Sequence, residues 1–137
     1  MSDDRRDEVV AEQAAAHARK LARETEEAQR LIDDFVREAT AKGLATQPLR
    51  ARSYGGGATY RTGILGWYLP RDRSLGVDTT GQFYLLNAPG GLMSRLSGVT
   101  LTPTAPPLAV GRGARDGESM SLAELLQRRL EAGEAWG

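Results

Sequence analysis

Histidine is the side chain best matched to proton transfer near neutral pH, and this chain of 137 residues has one, His17. At helical spacing its neighbours are Gln13, Ala14, Lys20 and Leu21, so no carboxylate shares its face. A Glu-x-x-His metal pair and an H-E-x-x-H zinc motif are thereby excluded, and no G-x-S-x-G surrounds a serine. Neither lysine, Lys20 or Lys42, lies in a G-K-[ST] loop or an S-x-x-K motif, which argues against phosphate-loop hydrolysis and Ser-Lys catalysis. Without cysteine there is no disulfide framework, thiolate metal site or cysteine nucleophile. Carboxylates do stand side by side at Asp33/Asp34 and Glu26/Glu27, but adjacent helical residues point roughly 100° apart and are ordinarily solvated. Of the three acids between residues 44 and 117, Asp78 and Asp116 are explained by the turns they sit in, and an acid/base pair drawn from these two and Asp72 is the minor alternative. The residue types point to a chain that is not an enzyme and needs no metal or cofactor.

Arginine is where an anion could be held. Six of the eight aromatics (Tyr54, Tyr60, Trp67, Tyr68, Phe83, Tyr84) fall within residues 54–84, among Arg50, Arg52, Arg61, Arg71 and Arg73. In a strand, Arg50, Arg52 and Tyr54 project to one side, opposite Leu49 and Ala51. Arginines beside stackable rings are the physical recipe for gripping RNA or single-stranded DNA. The plainer expectation is that these rings are core and cross-strand pairs, with arginines on the wet face of a half-covered sheet. A second anion candidate is the run Gly111 to Ser119, where Arg112, Gly113 and Arg115 lead toward a helix start. Its spacing is not G-x-G-x-x-G and Glu124 already occupies that helix start, so a simple connection is the expected role.

The elements that carry these residues follow from pattern. From about Asp4 to Lys42 the chain has no Gly or Pro and is rich in Ala, Glu, Arg and Gln, all good helix formers. Ser2 or Asp3 can cap the start, and Gly43 stands where a C′ glycine belongs. Ala28, Leu31, Ile32, Phe35, Val36 and Ala39 make a packing stripe, and Val10, Ala14, His17 and Leu21 a thinner one spaced 4-3-4. Thirty-nine residues at ~1.5 Å each span ~58 Å, against ~37 Å for a compact body of this chain length. Either the helix breaks or frays before about residue 25, leaving a solvated Ala-rich arm, or it projects and finds a partner.

Beyond Ala45 the signals change to strands and turns. Leu49–Tyr54, Thr59–Leu69, Leu75–Val77, Gln82–Leu86, Val99–Thr102 and Pro107–Val110 are strand candidates, with bulges or close backbone approach expected at Gly63 and Gly66. Leu92–Leu96 reads as one helical turn. Ser121 and Glu124 form a capping box for a final helix whose Leu122, Leu125, Leu126 and Leu130 share a face, stopped by Gly133. The expected fold class is α+β in one domain. Residues 1–43 form the long helix, 44–110 an antiparallel meander of four to five strands, 111–120 a Gly/Arg loop and 121–133 a short helix on the sheet. The Phe35 and C-terminal Leu faces should cover the same side.

Charge narrows the partners. Eighteen basic residues balance 18 acidic ones, but the zero is a cancellation: residues 1–43 carry −3, residues 44–117 carry +5 and residues 118–137 carry −2. A globally basic protein is excluded, and a local anion-binding face is not. No run of ~18 apolar residues is present to enter a membrane. The leading expectation is a cytoplasmic interaction module that pairs with itself or another protein through the Val10, Ala14, His17, Leu21 stripe. Nucleic-acid binding through the arginines is the first alternative, and a small molecule held between sheet and helices the second.

Overall fold

The computed structural model describes residues 2–111 and 119–135. One unbroken helix, α1 (Ser2–Ala41), opens the fold. Its end is chemically defined: Gly43 takes φ 71°, its N–H donates to the Thr40 carbonyl at 3.1 Å, and Leu44 N–H reaches the Ala39 carbonyl at 2.9 Å. These two bonds satisfy carbonyls that a helix end otherwise leaves orphaned, in a Schellman arrangement that glycine enters without a Cβ penalty.

Seven strands and two further helices follow. They are β1 (Gln47–Ser53), β2 (Thr59–Tyr68), β3 (Leu75–Asp78), β4 (Phe83–Leu85), β5 (Asn87–Ala88), α2 (Leu92–Ser97), β6 (Ala109–Gly111), β7 (Ser119–Ser121) and α3 (Leu122–Ala132). The first five make one sheet of order β4-β3-β2-β1-β5, antiparallel throughout except for the parallel pair β1–β5. β4 and β5 occupy opposite ends of that order, yet only Leu86 separates them in the chain. The two edges must therefore meet, so the sheet curls back on itself. Leu86 is the joint: its N–H donates to the Ser74 carbonyl and its carbonyl accepts from Arg52 N–H, both at 2.9 Å.

Two glycines permit the curl. Gly63 takes φ 74° inside β2, where the pairing shifts from Pro48↔Leu65 to Arg50↔Arg61. The bulge frees backbone groups, and the Thr62 hydroxyl recovers them by donating to the Leu49 carbonyl at 2.7 Å and accepting from Ile64 N–H at 3.1 Å. Gly66 serves close approach instead: a Cβ there would lie 2.0 Å from the Val77 carbonyl oxygen.

Alternation along the strands divides the apolar residues between two cores. On one face Trp67, Leu69, Val77 and Phe83 pack under Ala28, Ile32, Phe35 and Ala39 of α1 and Leu122, Leu125 and Leu126 of α3. Trp67 and Phe35 meet edge to face at 5.7 Å, and the indole Nε1 donates to the Leu44 carbonyl. Inside the curl, Leu49, Tyr68, Tyr84 and Leu86 form a smaller core, flanked by Ile64 and Leu101. Gly76 makes room there, since a Cβ would fall 2.8 Å from a Leu49 methyl and 3.0 Å from a Leu86 methyl.

The α+β class, the strand count, and both helices on one side of the sheet are as the sequence pattern predicts. Three expectations need correction. Val99–Thr102 is not a strand; its Val99 N–H instead caps the Arg61 carbonyl at 2.8 Å, and Leu101 lies against the inner core. The 107–110 segment is no edge of the main sheet, because Ala109–Gly111 pairs with Ser119–Ser121 in a separate ribbon. Nor is the sheet a plain meander, since the β strand expected at Gln82–Leu86 turns at Leu86 and runs on to pair in parallel with β1.

Candidate functional site

Every residue from Asp3 to Arg23 is exposed, so these 21 residues of α1 are buried by no other described part of the fold. At 1.5 Å per residue they form an arm of about 32 Å. The first half-buried positions are Glu24 and Thr25, and the first fully buried one is Ala28. Just beyond, Gln29 Nε2 clamps α1 to the β3–β4 turn by donating to the Gly81 carbonyl at 2.8 Å. Val9, Val10 and Leu21 on the arm are 47%, 58% and 48% exposed, and Ala14 and His17 are exposed with them.

The arm's stripe has a counterpart in the body. Val10, Ala14, His17 and Leu21 precede Ala28, Ile32, Phe35 and Ala39 by 18 residues each. Eighteen residues are about five turns of α-helix, so both sets lie on one face. The body covers the second set, each to 1% exposure or less, and leaves the first bare. Sequence reading found both stripes without seeing that one continues the other.

The arginine candidates are brought together only in part. Arg50 and Arg61 are direct cross-strand partners, and both are exposed, as is Arg52. Each guanidinium is already engaged: Arg50 with the Thr59 hydroxyl and carbonyl, Arg52 with the Asp72 carbonyl at 2.9 Å, Arg61 with the Leu96 carbonyl at 3.0 Å. Arg73, at φ 61° in the β2–β3 turn, lies over the Tyr68 ring at 5.4 Å. Arg71 lies in the same turn but lines a cavity on its other side. Of the six rings between residues 54 and 84, five are buried, and Tyr54 alone is open at 72% exposure. A row of stacking platforms is not available on this face. Arg112, Gly113 and Arg115 lie outside the described residues.

That cavity, about 750 Å³, opens between the β2–β3 turn, the β6–β7 ribbon and α3. Leu75, Val110, Met120 and Leu125 give it an apolar floor, while Arg71, Asp72, Arg128 and Glu131 stand at polar positions around it. Arg128 is held by Glu124 at 2.7 Å. Only the position between sheet and helix, not its residues, was foreseeable, because the lining comes from four separate elements.

The titrating groups with shifted behaviour serve structure. Burial pushes the Asp78 carboxyl up, but bonds from Gln82 N–H, the Thr80 hydroxyl and N–H, and the Tyr84 hydroxyl together bring it below 3.8. Tyr84 is raised above 10.0 by burial and by Asp78 beside it. Asp78 is thus a turn residue, as its sequence context indicates. Arg129, only 5% exposed, ties α3 to β2 by donating from Nε to the Tyr68 carbonyl at 2.8 Å, and burial lowers its pKa although nearby Glu134 opposes this. Among the described residues no group of three or more His, Asp or Glu side chains could hold a metal ion, and no helix is long and apolar enough to cross a membrane. No protein-family model matches this chain, and neither a curated protein nor a solved structure does.

Proposed function

We propose that this chain is a non-enzymatic interaction module of the cytoplasm that self-associates through the bare half of α1. The observation that carries this reading is the continuity of one helix face. From Ala28 onward it is a packing surface covered by the body, and at Val10, Ala14, His17 and Leu21 the same surface has no cover. Most helical stability in proteins comes from packing an amphipathic face rather than from propensity, so the arm gains stability by packing its stripe on another helix. Alanine at the seam permits close backbone approach, and 4-3-4 spacing is that of helix-pair contacts. Light scattering of the full chain should give twice the monomer mass, and the chain lacking residues 2–23 should give the monomer. A full chain that stays monomeric up to high micromolar concentration refutes the proposal.

A small-molecule ligand in the 750 Å³ cavity is the second reading, favoured by that volume, which falls within the range of about 300–1,000 Å³ usual for ligand sites. Native mass spectrometry of the purified chain tests it: a retained adduct that Leu125→Trp expels supports it, and a bare mass opposes it. Binding of RNA or single-stranded DNA rests on the arginines alone, since five of the six rings are buried. It requires affinity that falls steeply with salt and weakens in the Arg50→Ala, Arg52→Ala double variant.

A further inference from the structure

The part of the sheet that the helices leave open has a composition of its own. Alternation along β1 turns Leu49 and Ala51 inward, both buried, and leaves Arg50, Arg52 and Tyr54 exposed on the outward side. Arg61 of β2 is the direct cross-strand partner of Arg50, and Leu65, 55% exposed, is that of Pro48. The Arg61 guanidinium donates to the Leu96 carbonyl at 3.0 Å, which sets α2 beside this face. Met93 and Leu96, three apart and so on one side of that short helix, are 72% and 67% exposed, and Arg95 is exposed with them. The hydrogen bonds of Arg50, Arg52 and Arg61 all end on hydroxyl or carbonyl oxygens, which leaves their charges uncancelled. Residues 44–111 hold six arginines against two acids, and both acids are occupied: Asp72 accepts from Ser74, and Asp78 from its own turn and Tyr84.

We infer that this face docks on an anionic membrane surface, its arginines against lipid headgroups and Tyr54, Met93 and Leu96 in the interfacial layer. A guanidinium matches phosphate oxygens with a two-pronged fork, and every basic side chain near such a surface adds attraction. Tyrosine suits the headgroup level because its ring is apolar and its hydroxyl is not. The aliphatic side chains separate this partner from a nucleic acid: Met93, Leu96 and Leu65 offer no ring for a base to stack on, whereas the boundary of the acyl chains takes them up. Docking of this kind lies on the membrane and needs no spanning segment. The distribution of acid agrees with it. α1, with 11 acidic side chains against seven basic ones, packs over Trp67, Leu69, Val77 and Phe83 and leaves Arg50, Arg52 and Tyr54 uncovered. The face belongs to the body and not to the arm, so docking does not depend on self-association.

Co-sedimentation of the full chain with lipid vesicles tests this. At low salt the chain should pellet with vesicles of roughly 2:1 phosphatidylcholine and phosphatidylserine, and stay in solution with phosphatidylcholine alone. Arg50→Gln with Arg61→Gln should weaken binding about tenfold or more, and Met93→Ser with Leu96→Ser about tenfold. All four side chains are exposed, so each double variant should keep the melting temperature of the unaltered chain. Tyr54→Trp supplies a gain of signal instead of a loss: its added emission should shift to the blue with the anionic vesicles and not with the neutral ones. A chain that leaves anionic vesicles unbound overturns the inference, and so does binding that neither double variant weakens. Binding that falls with the arginine pair but is indifferent to the Met93, Leu96 pair also overturns it, and tight binding of uridine oligonucleotides by the latter variant then assigns the face to nucleic acid.

Discussion

Removing residues 2–23 should leave the stability of the body unchanged while taking away a large share of its helix. Residues 3–23 are exposed throughout, and the docking of α1 begins with Ala28 and the Gln29 bond to Gly81. Among the described residues no buried side chain and no hydrogen bond to the body is lost, so the expected change is within about 0.5 kcal/mol, as for surface changes away from packing. In Tm that is about 2 °C or less for a domain of this size. The helices α1, α2 and α3 hold 40, 6 and 11 residues, so deleting 22 of these 57 removes about 39% of the helical signal at 222 nm. Circular dichroism reads both quantities in one melt. The intact chain must be compared at dilutions where it is monomeric, because dimerisation through the arm would itself raise the apparent Tm. A truncated body that melts more than about 4 °C lower, equivalent to about 1 kcal/mol, would refute the reasoning. The arm would then be part of the core it appears on the outside of, and its stripe would not be bare.

Other perturbations probe the seam and the curl. His17→Leu makes the exposed stripe of the arm apolar throughout, so a dimer formed through it should tighten about tenfold in Kd, read by sedimentation equilibrium; an unchanged Kd places His17 off the seam. Gly66→Ala forces a methyl into the Val77 carbonyl, and because its contacts at 2.0, 2.8 and 2.9 Å are all backbone, the β2–β3 pair cannot yield. A loss of about 3 kcal/mol or more is expected by urea unfolding, and a loss under 1 kcal/mol would show that these strands part easily. Asp78→Ala removes a carboxylate whose folded pKa lies below its ordinary 3.8, so its stabilising effect is present above that value and fades as pH falls through the folded pKa. The variant should be about 1–2 kcal/mol less stable at pH 7, with the difference shrinking below pH 4; a constant difference across that window contradicts the linkage. Tyr84, raised above 10.0, works in the opposite sense: its contribution holds below that pH and fades as pH rises through the folded value, a loss that Tyr84→Phe should abolish in alkaline melts.

Local chemistry made much of this fold legible. The Schellman glycine at Gly43, the Ser121 cap that accepts from Glu124 N–H, the Asp78 turn and the 28–39 stripe each depend on neighbours within a few residues. The capping box is only half made, since the Glu124 carboxylate pairs with Arg128 instead of turning back to Ser121. Strand candidates far from the long β2 fared worse. Val99–Thr102 has β-prone residues, yet what it meets is a single carbonyl at Arg61 and the open side of the inner core, so it packs without joining a ladder.

The sequence by itself determined which segments are helical, that Gly43 ends α1 and Ser121 caps α3, although Ser2 and Asp3, expected as caps, lie within α1, and that acid and base are segregated along the chain. Those properties are set by residue type and by spacings of one to four positions, which survive in any tertiary arrangement. Only the tertiary structure decided that β4 and β5 bring the sheet's two edges together at Leu86, that five rings turn inward, and that turn, ribbon and α3 enclose a cavity. The same holds for where the body's cover stops along α1. Each is a contact between residues distant in the chain, selected by how much apolar surface the whole fold can bury at once, and no local spacing records that sum.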